Sequence, residues 1–336
     1  MTEKKRSKVV ITHWVHNEVI NLLRESCDVV PNESKETLPR DEIIRRSRSA
    51  DGIMAFMPDM VDAEFLSGCD NLKVIAAAFK GYDNIDVEQC TSRGIWFTIV
   101  PDLLTAPTAE LAIGLLIGVI RKMMEGDRFI RTSHFEGWRP KLYGTGLAGN
   151  TVGIVGMGAL GKAMARRLAG FEARILHFDK VPLPEDQERS HNVTRVPFDQ
   201  LVEQSDFVII AVPLTPDTSN MFGAGTIAKM KKGSFLINPA RGSVVDEGAV
   251  ADALEAGHLA GYAADVYEME DWARNDRPTR INPRLLSMTH RTFLTPHLGS
   301  AVDRARKEIA LEAAQNILQV FEGKVPQGAV NAPRLK

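Results

Sequence analysis

Short, almost wholly apolar runs alternate along this chain with segments whose apolar residues recur at helical spacing. Residues 8–12, 52–56, 73–77 and 94–98 read as strands of the kind buried on both faces. Residues 18–26, 41–49, 63–67 and 87–93 read as the helices between them. Strand and helix in strict turn predict a parallel sheet, because each parallel return needs a crossover. This first series stops near Pro101. Pro107 then stands where a helix tolerates it, in the first turn of a helix predicted over 108–125. Its Gly114-x-x-x-Gly118 spacing leaves one smooth face, expected to pack closely on another helix of this chain or of a partner subunit.

A second alternation follows, with strands at 152–155, 173–178, 206–212, 234–238, 260–266 and 292–294 and helices at 159–168, 198–204, 225–229 and 246–256. The polar stretch 267–291 has the length of a functional or disordered loop. The last helix, 302–322, has no place in the second sheet and is expected to return to the first. The fold class is therefore α/β: two Rossmann-like or flavodoxin-like parallel-sheet domains with a cleft between them. One, discontinuous, comprises 1–103 and 300–336 and carries the substrate and catalytic side; the other, 104–299, binds the cofactor.

At 336 residues the chain suits two domains, and 44% hydrophobic with 25% charged residues is ordinary globular composition. A formal net charge of −2 offers nothing to nucleic acid or to an anionic membrane. Cys27, Cys69 and Cys90 are scattered, which fits a reducing compartment and gives neither a disulfide frame nor a metal site. The first residues are polar and carry no secretory signal, and the apolar stretch 111–120 is far shorter than the roughly 20 residues of a membrane span. A cytoplasmic location is the expectation.

The stretch 151–161, Thr-Val-Gly-Ile-Val-Gly-Met-Gly-Ala-Leu-Gly, runs from strand through turn into helix. Gly156 permits the tight turn, Gly158 lets a pyrophosphate approach the backbone, and Gly161 lets the helix pack on the sheet. The helix N-terminus offers free N–H groups and a positive dipole end to the phosphates. Asp179 closes the next strand, near the roughly 20-residue distance expected for the acid that binds the adenosine ribose. A carboxylate there accepts from a 2′-OH and repels a 2′-phosphate, so NAD is expected over NADP. Lys180 beside it would soften that repulsion.

Ligands of open parallel sheets bind beyond the carboxyl ends of strands. That rule selects Lys80 and Gly81, then Pro239, Ala240 and Arg241, then the segment from Asp265 to Glu270, then the segment from Thr295 to Ser300. His297, between a proline and Leu298-Gly299, suits proton transfer near neutral pH. Glu268 and Glu270 both compete to pair with it, and spacing does not choose. Arg241 offers a planar fork for an oxyanion. Lys80, ordinarily a solvated side chain, would add a second cation, and Arg139 and Arg306 more. Two cations ask for a highly charged anion, each charged hydrogen bond contributing about 1.5–3 kcal/mol.

These residues resemble the D-isomer-specific 2-hydroxyacid dehydrogenase family. The resemblance runs along nearly the whole chain: Gly81-Tyr-Asp-Asn-Ile-Asp86, Thr108-Ala-Glu110, the glycine motif, Val212-Pro-Leu-Thr-Pro-Asp-Thr218, Asn238-Pro-Ala-Arg-Gly242, Asp265-Val-Tyr-Glu-Met-Glu270 and Thr295-Pro-His-Leu-Gly-Ser300. It implies Arg241, Glu270 and His297 as catalytic residues, choosing the second glutamate. It implies NAD in the central domain, with Asp265 at its nicotinamide end. Cofactor contacts would come from Lys80, Thr108, Ala159, Leu160, Ala211, Val212 and Pro213, besides the three glycines and Asp179. Further contacts would come from Pro239, Ala240, Arg241, His297, Gly299 and Ser300. It also implies a homodimer built largely on the helix of Thr108.

Within the family the chain looks most like the phosphite-oxidising members. That likeness rests on Ala55-Phe-Met-Pro-Asp59, Lys80 before Gly81, Val100-Pro-Asp-Leu-Leu-Thr105, Gly137-Trp138 with Tyr143-Gly-Thr-Gly146, and Glu268-Met-Glu-Asp-Trp-Ala-Arg274. It implies phosphite as the small anionic substrate, held by Lys80, Gly81 and Arg241 with Met57, Trp138 and Arg306 near it, and places Lys80 in the catalytic set. Phosphite is largely a dianion near neutral pH, whereas a 2-hydroxy acid is a monoanion. The alternatives are a glyoxylate or hydroxypyruvate reductase, which needs only one strong cation, and an NAD-sensing binding protein like the family's transcriptional corepressors.

Overall fold

The computed structural model describes residues 6–132 and 135–333; residues 1–5, read above as part of a polar N-terminus, lie outside them. The chain separates into two compact units, Met1–Leu104 with Trp272–Asn275 and Ala301–Lys336, and Thr105–Asp271 with Asp276–Ser300.

The sheet of the first unit consists of β1 (Ser7–Ile11), β2 (Cys27–Val30), β3 (Gly52–Ala55), β4 (Val74–Ala77) and β5 (Trp96–Thr98), every pair parallel. Their order is β2-β1-β3-β4-β5. The order therefore reverses at β1, with β2 on one side and β3 on the other, and such a reversal is where ligands of open sheets bind. Continuous apolar runs make these strands because both faces are covered. Val10, Ile53 and Ile75 enter one core, while Val9, Ile11, Met54 and Ala76 enter the other. The helix Asp303–Phe321 lays Ile309, Ala313 and Ile317 on this second face. Each fully buried aliphatic side chain contributes roughly 1.5–3 kcal/mol. β2 is an element the apolar pattern does not announce.

The second unit carries β6 (Thr151–Val155), β7 (Arg174–Phe178), β8 (Thr194–Arg195), β9 (Phe207–Ile210), β10 (Ser234–Asn238), β11 (Leu259–Ala264) and β12 (Thr292–Leu294). All pairs are parallel, in the order β12-β11-β10-β9-β6-β7-β8. Here the order reverses at β6, and the glycine turn follows that strand.

Two expectations are corrected. The helix predicted over 108–125 runs Thr105–Ile120; Lys122 then takes a left-handed φ of 53°, and a separate helix, Met123–Arg131, begins. Gly118 makes a close approach to the ring of Phe293 on β12, while Gly114 is exposed, with nothing within 4 Å of where a Cβ would stand. The stretch 267–291 is ordered by the 3-10 turn Glu268–Glu270 and the helix Pro283–Ser287. The helix Glu185–His191 and the short β8 also escape the sequence pattern.

Candidate active site

In the second unit the turn out of β6 is made by Gly156 at φ 101°, in the region that favours glycine. A Cβ on Gly161 would strike the Gly156 carbonyl oxygen, so the helix Ala159–Leu168 starts directly against the turn. Over Gly158 there is open space, with nothing within 4 Å of a Cβ position. A pyrophosphate fits there, on the N–H groups of Ala159 and Leu160 at the helix N-terminus. Asp179 follows β7, and its carboxylate is drawn to the glycine turn: Oδ2 accepts the Met157 N–H at 2.6 Å and Oδ1 the Val181 N–H at 3.0 Å. Lys180 turns to Asp217 instead, Nζ to Oδ2 2.6 Å. The carboxylate thus remains beside the turn to receive a ribose hydroxyl. Ala211, Val212 and Pro213 leave β9 next to that turn. Ala211 N–H donates to the Val155 carbonyl at 2.7 Å, and the Pro213 carbonyl accepts the Thr218 hydroxyl at 2.7 Å.

The strand ends of β10, β11 and β12 carry the remaining groups of this unit. Buried Asn238 closes β10 and ties the Pro239-Ala240-Arg241 turn, its Nδ2 donating to the Arg241 carbonyl at 2.9 Å and its Oδ1 accepting the Ala240 N–H at 3.1 Å. Beyond β11, Glu270 Oε1 accepts the Tyr267 N–H at 3.0 Å, while Oε2 meets His297 Nδ1 at 2.7 Å. Glu268 turns the other way and accepts the Glu247 N–H at 2.8 Å. The geometry therefore pairs His297 with Glu270. With Glu270 ionised, Nδ1 carries the hydrogen and Nε2 presents its lone pair. His297 itself stands at a left-handed φ of 55°.

The Asp265 carboxylate, expected at the nicotinamide end of the cofactor, accepts from the Thr295 hydroxyl at 2.6 Å, the Leu298 N–H at 2.7 Å and the Gly299 N–H at 2.7 Å. Burial pushes its pKa up against those bonds. Thr108 lies against Gly299, its Oγ1 3.2 Å from where a Cβ would stand, and Ser300 follows half-buried. Trp138 is 78% exposed, and Arg139 pairs with Glu136 at 3.5 Å.

In the first unit Lys80 is exposed and Gly81 half-buried just past β4. Arg306 reaches the same end of the sheet from the helix Asp303–Phe321. Its Nη1 lies 3.3 Å from the Ala78 carbonyl oxygen, and its guanidinium stands 5.5 Å from the centroid of Phe56, the residue after β3. Burial pulls its pKa below the ordinary arginine value. Met57 is half-buried beside Phe56, its carbonyl accepting from Asn84 at 3.0 Å. Asn238 and Tyr267, whose hydroxyl donates to the Thr295 carbonyl at 2.9 Å, are supports missed in the sequence. Their signal is a place at or just past a strand's carboxyl end, inside the motifs Asn238-Pro-Ala-Arg-Gly242 and Asp265-Val-Tyr-Glu-Met-Glu270.

An orientated imidazole beside a dinucleotide cradle is the equipment of a dehydrogenase. Residues 113–299 match the model for the NAD binding domain of D-isomer specific 2-hydroxyacid dehydrogenases. A glyoxylate reductase of Thermofilum pendens is 38% identical over 98% of this chain and 96% of its own length. Among solved structures, a protein of Thermus thermophilus superposes with a TM-score of 0.86 at 33% identity, covering 96% of this chain and all 100% of that one. A putative D-isomer specific 2-hydroxyacid dehydrogenase from Polaromonas gives 0.87 at 30% identity, over 97% and 100%. The chain belongs to the D-isomer specific 2-hydroxyacid dehydrogenase family. It is an NAD-dependent oxidoreductase, and its second unit is the NAD-binding domain. Among the described residues no helix is long and apolar enough to cross a membrane.

Proposed function

We propose that the protein oxidises phosphite to phosphate with NAD⁺ as acceptor. The observation that carries this reading is the cationic end of the first sheet, where Lys80 stands exposed past β4 and Arg306 bonds the Ala78 carbonyl two residues earlier. A dianion rewards both cations, and a carboxylate monoanion does not require them. The likeness of the Lys80 and Glu268-to-Arg274 stretches to phosphite-oxidising members supports the same assignment.

Bound NAD⁺ supplies the hydride acceptor, held by the glycine turn, Asp179 and the segment 211–213. In the first unit Lys80 and Arg306 are the cations offered to the phosphite oxygens, and in the second unit Arg241 offers a guanidinium fork to an oxyanion. The Nε2 lone pair of His297 takes one proton from the water whose oxygen attacks phosphorus, and Glu270 keeps the imidazole turned for that transfer. The P–H hydrogen leaves with its bonding pair as the new P–O bond forms, so phosphite and water become phosphate with one proton released. A positioned general base contributes roughly 10²–10⁴-fold. The same proposal includes a homodimer: the helix Met123–Arg131 has no buried residue and exposes Met123 and Ile130.

A second reading is favoured by the names of the relatives. Proteins 34–38% identical along nearly the whole chain are called glyoxylate reductases. On that reading His297 gives its proton to a reduced carbonyl oxygen and Arg241 alone holds the carboxylate. Absorbance at 340 nm decides. Purified protein with NAD⁺ and phosphite yields NADH on the first reading. Consumption of NADH with glyoxylate or hydroxypyruvate, and none formed with phosphite, establishes the second. Cofactor binding without turnover on any acid points to the binding-protein alternative.

A further inference from the structure

The reversal of strand order in the first sheet lies between the ends of β1 and β3, and the sequence places a histidine there that the reading above does not use. Thr12 and His13 follow β1, and Phe56 follows β3. The two ends are tied by the Thr12 N–H donating to the Met54 carbonyl at 3.2 Å. Between them sits Asp59, 4% exposed. One of its oxygens, Oδ2, is fully used, accepting the Thr12 hydroxyl at 2.5 Å and the Phe56 N–H at 2.7 Å. The other, Oδ1, is buried without a hydrogen bond and faces His13 Nε2 at 3.4 Å.

A carboxylate behind an imidazole orients the ring. Here it faces Nε2, which like Oδ1 has no hydrogen-bond partner among the described residues. The opposite nitrogen, Nδ1, has no partner among the described residues, while the ring as a whole is only 16% exposed. The ring is further fixed by packing at 5.3 Å and 47° on Phe56, the phenyl group that also carries the Arg306 guanidinium at 5.5 Å. Carboxylate, imidazole, phenyl and guanidinium thus form one cluster at the place where open sheets bind ligands.

We propose that His13 is a further substrate-binding residue: held by Asp59 on one side and Phe56 on the other, it donates from Nδ1 to an oxygen of the small oxyanion held at this end of the first sheet. The proposal rests on the assignment of Lys80 and Arg306 to that anion. It adds a third nitrogen donor and gives the buried Asp59 carboxylate a purpose beyond tying two loops.

Two amide substitutions separate binding from structure. His13→Gln places an amide near the Nε2 position and retains a donor for Asp59. His13→Asn places one near Nδ1 and retains a partner for the substrate. The expected result is a KM for phosphite raised roughly tenfold or more in His13→Gln, the scale of one charged hydrogen bond, with kcat little changed. His13→Asn recovers most of the wild-type KM. The thermal midpoints run in the opposite order, His13→Gln staying nearer the wild type. A KM that follows the thermal midpoint, or one unchanged in both variants, overturns the proposal. If the wild type turns over glyoxylate and not phosphite, the phosphite reading fails. The same three proteins measured with glyoxylate then decide the role of His13 by the same contrast.

Discussion

Asp265 grips His297 through both its backbone and its side chain. The Asp265 carbonyl accepts the His297 N–H at 2.9 Å, while the carboxylate accepts the next two N–H groups, of Leu298 and Gly299, at 2.7 Å each. A side chain other than glycine at a φ of 55° is strained by about 1–2 kcal/mol, so the turn persists because these bonds over-determine it. The acid that follows β11 is therefore the restraint on the imidazole that follows β12.

Asp265→Asn would set an amide NH₂ against one of the N–H donors. It should lower kcat by at least roughly tenfold, the equivalent of one charged hydrogen bond lost from the turn, with a smaller change in cofactor affinity. Steady-state kinetics beside NADH titration measures both. An unchanged kcat with weakened NADH binding would show that Asp265 acts on the cofactor directly and not through the turn of His297.

Lys80→Ala should raise the KM for phosphite by roughly 10- to 150-fold, the range of one charged hydrogen bond, and leave the dissociation constant of NAD⁺ within a small factor. Lys80→Arg should recover part of the loss, since a guanidinium restores charge but not the compact ammonium. A phosphite KM indifferent to Lys80→Ala removes the observation on which the substrate assignment stands.

Asp217→Asn should free Lys180 from its 2.6 Å contact and bring its charge within reach of a 2′-phosphate. Both partners are exposed, so the release has a small effect and the KM for NADP should fall by no more than about fivefold. The KM for NAD should hold. Initial rates with the two cofactors give the ratio, and a ratio that does not move means Lys180 is no obstacle or help to either.

Glu247 makes a pH test. Buried at the start of its helix, it accepts the N–H groups of Asn282 at 2.8 Å and Glu268 at 3.1 Å, yet burial raises its pKa above the ordinary 4.5. The folded value thus lies above the unfolded one. Its contribution to stability is whole below pH 4.5 and is lost as pH rises through the folded pKa. The stability difference between wild type and Glu247→Gln should therefore shift against the wild type from pH 4.5 upward, by no more than about 1.4 kcal/mol per pH unit for one proton. Urea midpoints of the two proteins across that range provide the comparison. A difference that grows in favour of the wild type would show that the backbone donors outweigh burial.

The glycine turn, Asp179, β10 and β12 were legible because each depends on local pattern: a turn demanding glycine, or a run buried on both faces. β2 was not legible, because Cys27-Asp28-Val29-Val30 is short and carries a charge in its second place. The end of the helix at Ile120 was hidden by Met123 and Met124, which continue the apolar pattern past a backbone break at Lys122. The choice between Glu268 and Glu270 turns on a 3-10 turn that sends one carboxylate to Glu247 and the other to His297. Residues His13 and Asp59 are remote in sequence and meet only because β1 and β3 are neighbours.

The helix Asp303–Phe321 also has a meaning for how the chain is made. Ile309, Ala313 and Ile317 complete a core whose other members lie within the first hundred residues or so, Val9, Ile11 and Met54 among them. Domains emerging from a ribosome usually fold in order from the N-terminus. Here the helix Asn17–Arg24 brings Val19 and Leu23 to that face early, but the face is complete only when nearly the whole polypeptide has been translated. The unit encoded in the middle can close first, and the nascent amino-terminal strands are the segment for which a chaperone would be needed.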